Sequence, residues 1–442
     1  MVIGTHLNNG TTDVKNIVET FVQDDTDLNE LVDDAIILAH YIGMVTRADK
    51  TKTRIDSCVF VPFTLFPSPF PRQIFIEAFE IQKAMQLLYF RVSNDFEFLI
   101  KTLEPVASTN KFVSHQLKLY RAVQSQPIRQ PLTLHITRSD YMCHVSKSNE
   151  SEHEEEYQLK QVEMNIGQLG GNSISNRSTI LHRQMLEKVG VDPAIVPDND
   201  ADGIMAQGLY QAWKAFGVDD AVFIISRKFH DIEFFQLKIR LKQFSENKIK
   251  IVRLSLKDCI FGTELASKKK FNSQALSEPG VLEYFFPEPE YAQKVKNIRK
   301  TFAKMWSLEQ EDDEIMKIIN YAIENPGNYV LKPCEEGGVN NFWDEEIAEN
   351  LRIFNTEERA AHILMEPCCE EFLGVRPNDE ANAQLSNIVS ELGIYGYLLG
   401  NSSNMAVLRN ERNGYMLRSK REDATEGGIH AGGGVHDSPY LF

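Results

Sequence analysis

The stretch that most constrains this chain runs from Tyr329 to Glu346, where an apolar triplet, a Lys-Pro pair, an acidic glycine loop and a helix start follow one another. Tyr329-Val330-Leu331 reads as a short buried strand delivering Lys332 at its end; Pro333 should stop sheet pairing, and a helix should begin near Asp344. That order suits a phosphate. Gly337 and Gly338 let backbone approach an anion closely, Lys332 brings positive charge, and Glu336 and Asn341 offer hard oxygens to a magnesium ion carried on the phosphates. The lysine precedes the glycines and no Gly-Lys-Ser/Thr follows, which excludes a Walker loop. Taken alone, the same residues also read as an ordinary strand-to-helix turn.

A chain of 442 residues with 42% hydrophobic and 25% charged content can form two or three domains with sizeable cores. The formal charge of -16 opposes non-specific binding to nucleic acid or to anionic membranes, so neither is expected as a partner. Six scattered cysteines without CxxC spacing indicate neither a structural zinc nor a disulfide framework, and a reducing compartment follows. No stretch reaches the length of a membrane span, and the residues after Met1 lack a signal-peptide pattern. The expected location is the cytoplasm. The alternative is a secreted protein whose leader was removed, for which sequons such as Asn149-Glu150-Ser151 would be usable.

Helical periodicity appears at Val14 to Phe21, Leu28 to Ala39, Ile76 to Leu103 and Thr109 to Gln124, and the aromatic-proline run Phe60 to Pro71 reads as a core plug. Leu132 to Met142 and Tyr157 to Asn165 alternate like two strands of an antiparallel hairpin, so Glu163 and Asn165 share one face and could hold a cation; a solvated polar face is the other reading. Helices are expected at about Asn176 to Gly190 and Asp202 to Gly217. A parallel strand-helix-strand unit spans Ala221 to Ser255. Further helices are expected at Lys268 to Leu276, Pro289 to Ser307 and Glu311 to Glu324. After the opening stretch come strands at His362 to Glu366 and Ala383 to Leu399, a hairpin over Met405 to Ser419 turning near Asn413-Gly414, and a glycine loop from Gly427 to Gly434.

In order along the chain, these pieces resemble the eukaryotic glutathione synthetase family of ATP-grasp ligases. The resemblance rests on Pro62 to Ser68, Arg138-Ser139-Asp140-Tyr141-Met142, Glu163-Met164-Asn165, Leu331-Lys332-Pro333 with Glu336-Gly337-Gly338 and Asn340-Asn341, Ile363 to Glu366, Ser390 to Ile394, Leu417 to Lys420, and the loop ending in Asp437-Ser438-Pro439-Tyr440. It implies an α+β, ATP-grasp-type fold: an antiparallel sheet flanked by helices, a lid, and a small, truncated parallel α/β substrate domain. The expected divisions are a main body over 1–200, the substrate domain over 201–266, a helical connection over 267–325, the lid over 326–366, and the sheet with its glycine loop over 367–442.

The reaction implied joins gamma-glutamylcysteine to glycine through an acyl phosphate, with ATP as co-substrate, Mg2+ as cofactor and a homodimer as the working form. The resemblance assigns Glu163, Asn165 and Glu336 to magnesium. It assigns Lys332, Glu336, Gly337, Gly338, Asn341, Trp343, Met365, Glu366, Glu391 and Lys420 to the nucleotide, with Lys269 or a neighbouring lysine as the second phosphate lysine. Arg138, Arg418 and Lys420 are the expected catalytic groups, and Arg138, Gln236, Arg418, Ile429 and His430 the expected substrate contacts.

Departures from the family gather on the dipeptide side. Ile166-Gly167-Gln168-Leu169 replace a serine-bearing segment, Gln236 alone answers to an expected acid and amide, and only Leu256 to Ala266 stand where an Arg-Asp-Gly-Tyr strand and a helix belong. Val339 replaces a glycine, Trp343 a smaller aromatic and His430 an alanine. Altered acceptor use or reduced activity is therefore expected, with a non-catalytic nucleotide-binding interaction protein as the alternative.

Overall fold

The computed structural model describes residues 25–48, 57–127, 130–147, 155–167, 169–226, 231–244, 249–254, 274–308, 312–333, 341–367, 372–377, 383–421, 424, 429 and 433–442. The expected helix at Val14 to Phe21 lies outside them. In chain order the elements are α1 (Asp25–Tyr41), β1 (Val45–Arg47), β2 (Cys58–Phe60), β3 (Ser68–Phe70), α2 (Arg72–Asn94), α3 (Phe96–Thr109), α4 (Lys111–Gln124), β4 (Leu132–Lys147), β5 (Glu155–Ile166), α5 (Asn172–Lys188), α6 (Ala201–Phe216), β6 (Val222–Ser226), α7 (Asp231–Phe244) and β7 (Lys250–Leu254). The second half adds α8 (Gln274–Ser277), α9 (Val281–Phe285), α10 (Ala292–Thr301), β8 (Met305–Ser307), α11 (Asp313–Glu324), β9 (Val330–Pro333), α12 (Glu345–Ile353), α13 (Thr356–Ala360), β10 (His362–Met365), β11 (Phe372–Pro377), β12 (Ala383–Asn401), β13 (Ala406–Arg421), β14 (Gly434–Asp437) and β15 (Pro439–Leu441).

An antiparallel sheet in the order β14-β13-β12-β4-β5, with β11 on an extension of β12, organises the molecule. Strand alternation gives it two different faces. On the back, Tyr141 and Cys143 of β4, Leu392 and Ile394 of β12 and Leu417 of β13 pack on Ile74, Ala78, Ile81, Met85 and Leu88 of α2, whose three- and four-residue spacing makes one apolar stripe. On the front, Tyr395, Tyr397 and Met416 are covered at one end by Ala201, Ile204 and Met205 of α6. The other end of the front carries the charged residues and faces a three-stranded unit, β8-β10-β9. That unit turns Leu331 and Leu364 toward α11 and α12, and Val330 and Met365 toward the sheet beside Met142. The architecture is thus α+β with antiparallel sheets. The parallel unit is present as well: β6 and β7 pair in parallel beneath α6 and α7.

Local expectations fail in four places. The single helix over Ile76 to Leu103 is two, because the Asp95 side chain accepts from Phe98 N at 2.9 Å and starts a new helix. Helix α10 stops at Thr301, and Met305–Ser307 becomes a strand because Met305 pairs with Met365 and Trp306 packs edge-on to Tyr329 at 5.8 Å; tertiary pairing overrides helical spacing. Pro333 does not end pairing, since it still lies opposite His362 at the edge. Asn413-Gly414 is a bulge and not a turn: Ile394 pairs with Tyr415 and Gly396 with Arg412, while the chain reverses at residues 402–405. Gly414, at φ 73°, is required there because a Cβ would stand 2.3 Å from the Ala201 backbone nitrogen.

The aromatic-proline run does plug a core, with Phe63, Leu65 and Phe66 buried against α1 and α5. Beside it, buried Asp437 accepts from Thr64 Oγ1 (2.7 Å), Ser68 N (3.3 Å), Ser68 Oγ (2.5 Å), Ser419 Oγ (2.6 Å) and Ser438 N (2.7 Å). The C-terminal strand is thereby tied to β3 and β13. Among the described residues, no helix is long and apolar enough to cross a membrane.

Candidate active site

One stretch of the front face gathers most of the residues singled out above. Register places Arg138 opposite Tyr395 and Asn165, Asp140 opposite Gly393 and Glu163, and Glu391 opposite Met142 and Arg418. Arg138, Asp140 and Met142, two residues apart, share this face with Glu391, Gly393, Arg418 and Lys420. A bulge brings Glu163 and Asn165 of β5 onto the same side. Glu163 pairs with Asp140 but Gln161 pairs with Tyr141, so Val162 is the extra residue; Leu159 and Gln161 go to the back and Glu163 and Asn165 come to the front.

The charges are tightly paired. Arg138, 7% exposed, donates from Nε to Asp140 Oδ1 at 2.6 Å and from Nη2 to Oδ2 at 2.7 Å, with Nη1 on the Gly170 carbonyl at 3.2 Å. Asn165 Nδ2 donates to Asp140 Oδ2 at 2.9 Å and to Glu163 Oε1 at 2.8 Å. Arg418 Nη2 donates to Glu391 Oε1 at 2.5 Å. Burial works against the Arg138 charge, yet its contacts with Asp140 outweigh that and hold its pKa above the ordinary arginine value. Asp140 has no exposed surface; burial, joined by the charges of Glu391 and Glu163, pushes its carboxyl up, while Arg138 pulls it down. Glu391 raises the pKa of Arg418, against burial.

Between the sheet and the three-stranded unit, Ala303, Val330 and Met365 form a buried apolar cluster with Met142, Met305 and Trp343 packed on it. Lys332 lies on the sheet-facing side of β9 with Val330, because it alternates with Leu331, which belongs to the unit's own core. Glu366 pairs with Lys304 (3.0 Å) at the end of β10. Lys420 Nζ lies 5.7 Å from the Trp343 ring centre and donates to the Ala424 carbonyl at 2.7 Å. Apolar surface beside lysines suits a base with a phosphate tail, and the oxygens of Glu163 and Asn165 are hard donors of the kind magnesium takes.

The structure therefore brings together Arg138, Glu163, Asn165, Glu391, Arg418 and Lys420 on the sheet and Lys332, Trp343, Met365 and Glu366 opposite. Asn341, half-buried, immediately precedes Phe342, whose backbone is bonded to Leu331. Gln236 is half-buried on α7 in the parallel unit, and Ile429 packs on the α1 and α5 core. Gln168, Lys269, Glu336, Gly337, Gly338 and His430 lie outside the described residues. Sequence reasoning assigned no role to Asp140, Gly393, Met142 or Lys304. Asp140 was detectable, since it sits two residues after Arg138 on an alternating strand, whereas Gly393 and Lys304 depend on pairing between distant segments.

Comparison with known proteins places the chain in a family. Residues 25–441 match the model of the eukaryotic glutathione synthase ATP-binding domain. The chain belongs to the eukaryotic glutathione synthase family. It is 28% identical to glutathione synthetase of Rattus norvegicus over 480 residues, covering 95% of this chain and 98% of that protein. With the Homo sapiens enzyme it shares 29% identity over 482 residues, covering 95% and 98%. Among solved structures, a glutathione synthetase-like effector from Globodera pallida, in its apo form, superposes with a TM-score of 0.75 at 27% identity, covering 95% of this chain and 98% of that one.

Proposed function

We propose that this chain is an ATP-dependent carbon-nitrogen ligase of the glutathione synthetase type, with an ATP-grasp lid, whose nucleotide half is kept and whose donor-dipeptide half is changed. The observation that carries the reading is the single sheet face holding Arg138, Glu163, Asn165, Glu391, Arg418 and Lys420, set opposite Lys332, Trp343 and Met365. In this reading the base lies on Met142, Met305, Val330 and Met365, with Trp343 along its side. Lys332 and Lys420 hold phosphate oxygens, and Glu163, Asn165 and Glu336 hold Mg2+. When bound, that ion supplies charge neutralisation on the transferring phosphoryl group.

The proposed reaction has two steps. A substrate carboxylate oxygen takes the terminal phosphoryl group of ATP and ADP leaves; an amine then attacks the acyl carbon, loses a proton and expels phosphate. Arg138 and Arg418, both beside the transfer point, orient the carboxylate, and the residues around Lys420 and Ile429 keep water away from the acyl phosphate. The donor is gamma-glutamylcysteine or a related dipeptide and the acceptor glycine or another amine. Each charge-assisted hydrogen bond missing from the donor pocket lowers affinity by about 1.5 to 3 kcal/mol. A homodimer is the proposed working form.

A second reading, a nucleotide-binding interaction protein with little or no turnover, draws support from the pairing of Arg138 with Asp140, which takes Nε and Nη2, and of Arg418 Nη2 with Glu391. Secretion belongs with this reading, by likeness to the Globodera pallida effector. An ATP-consumption assay across dipeptides and amines, run beside thermal melts with ATP and Mg2+, separates the two. Product with a dipeptide and an amine removes the interaction reading. Nucleotide-dependent stabilisation without any product removes the ligase.

A further inference from the structure

We infer that Asp140 is a positioning residue that joins a proposed metal ligand to the proposed substrate arginine: it holds the Asn165 amide nitrogen, which would leave the amide oxygen for a metal ion, and holds the Arg138 fork in the same grip. The inference rests on the ligase reading above and adds a residue to that site.

The argument starts from the Asn165 amide. Its nitrogen carries two N–H groups, and two acidic oxygens take them: Asp140 Oδ2 at 2.9 Å and Glu163 Oε1 at 2.8 Å. The amide oxygen therefore lies on the opposite side of the group. The reversed orientation would set that oxygen against two ionised carboxylates, which opposes it electrostatically. Only the oxygen of an amide ligates a hard cation, so this orientation decides whether Asn165 can serve.

Asp140 reaches further than Asn165. Its Oδ1 takes Arg138 Nε and its Oδ2 takes Arg138 Nη2, fixing the guanidinium plane from the side away from Nη1. Three N–H groups thus converge on one carboxylate with no exposed surface. Asn in its place would keep the shape but carry one nitrogen that must face an Arg138 donor in either orientation, and the Asn165 amide as well at the Oδ2 position. A buried ion pair is a poor source of net stability, because desolvation opposes it, so holding two functional side chains is the stronger account of this carboxylate. Gly393 leaves the room for it: a Cβ there would stand 2.7 Å from Asp140 Oδ1.

The test uses the full chain and Mn2+ in place of Mg2+, with ADP present, and reads bound Mn2+ by electron paramagnetic resonance alongside a thermal melt. Asp140→Asn should weaken Mn2+ about 10- to 100-fold, the range for partners that orient metal ligands. The double variant Asp140→Asn with Arg138→Met removes the two N–H donors that the new amide nitrogen would oppose, at unchanged net charge, leaves an amide oxygen to accept from Asn165, and should recover most of the affinity. It also serves if the single variant does not fold. Asp140→Asn with Mn2+ affinity within twofold of wild type overturns the inference while leaving the ligase reading intact, and so does a double variant that folds without recovering affinity. Wild-type protein that binds no Mn2+ with ADP overturns both.

Discussion

Gly393→Ala gives a direct measure of how closely the paired charges of the site are packed. Gly393 lies within β12 between Asp140 on one neighbour and Met416 on the other. A Cβ there would meet Asp140 Oδ1 at 2.7 Å, Arg138 Cδ at 2.8 Å and Arg138 Cγ at 3.0 Å. Carbon contacts settle at about 3.5 to 4.0 Å, so the ion pair would have to retreat by close to 1 Å. It has little room to do so, because Asp140 is held by Arg138 and Asn165 at once, and Arg138 also by the Gly170 carbonyl. Overpacking of this kind costs about 1 to 3 kcal/mol, and the narrower unfolded ensemble of alanine offsets about 0.4 to 1 kcal/mol, leaving a net loss on the order of 1 to 2 kcal/mol. Retreat of Asp140 should also turn the Asn165 amide. Thermal and denaturant unfolding with and without ADP and Mg2+ should therefore show both lower stability and a smaller ligand-induced shift. Gly170→Ala is the control: nothing lies within 4 Å of its Cβ position, so only the unfolded-state effect remains and it should be more stable by about 0.4 to 1 kcal/mol. A Gly393→Ala protein as stable as wild type, with the same ligand-induced shift, would refute the packing argument.

Two further outcomes follow from the buried polar network under the C-terminal strand. His182 is fully buried, with Nε2 donating to the Thr64 carbonyl at 2.7 Å; burial lowers its pKa below the usual 6.5, although Asp437 pulls the other way. Below pH 6.5 the unfolded chain then binds a proton that the folded one refuses, so the His182 contribution is complete above that pH and lost as pH falls toward the folded value, by at most about 1.4 kcal/mol per pH unit. Asp140, displaced upward, has the opposite slope, so the readout is the difference between wild type and His182→Gln in urea unfolding at pH 7.5 and about 5.5; equal slopes would count against a neutral buried imidazole. Asp437→Asn should cost about 1 to 3 kcal/mol in the same assay, because its amide nitrogen takes the place of one of the two oxygens that share five donors. A loss below about 1 kcal/mol would show that the network does not hold the C-terminal strand in place.

Much of the fold was legible because its elements are locally consistent. The alternation of Leu132 to Met142 and of Val330 to Lys332, the spacing of α2 and α6, and the parallel unit all survive in the structure, since each apolar pattern has one face to bury. The site was legible to the extent that its residues sit on such elements: Arg138, Lys332, Glu391 and Arg418 are where strand alternation places them. Errors arose where a local signal had two solutions. Asn413-Gly414 can close a hairpin or bulge a strand, and the nearby α6 backbone, which admits no Cβ, selects the bulge.

By itself, then, the sequence determined the class of elements, their order, the family and the residue types a phosphate site needs. Tertiary structure alone decided which of those residues meet. Unbroken alternation along β5 would send Glu163 and Asn165 to the same side as Leu159, into the core; the bulge at Val162 reverses them, and it is visible only in the pairing with β4. The grip of Asp140 on both Arg138 and Asn165 depends on that reversal and on a glycine more than 200 residues away in sequence, Gly393, because a buried carboxylate is tolerable only where the fold supplies both its donors and its space.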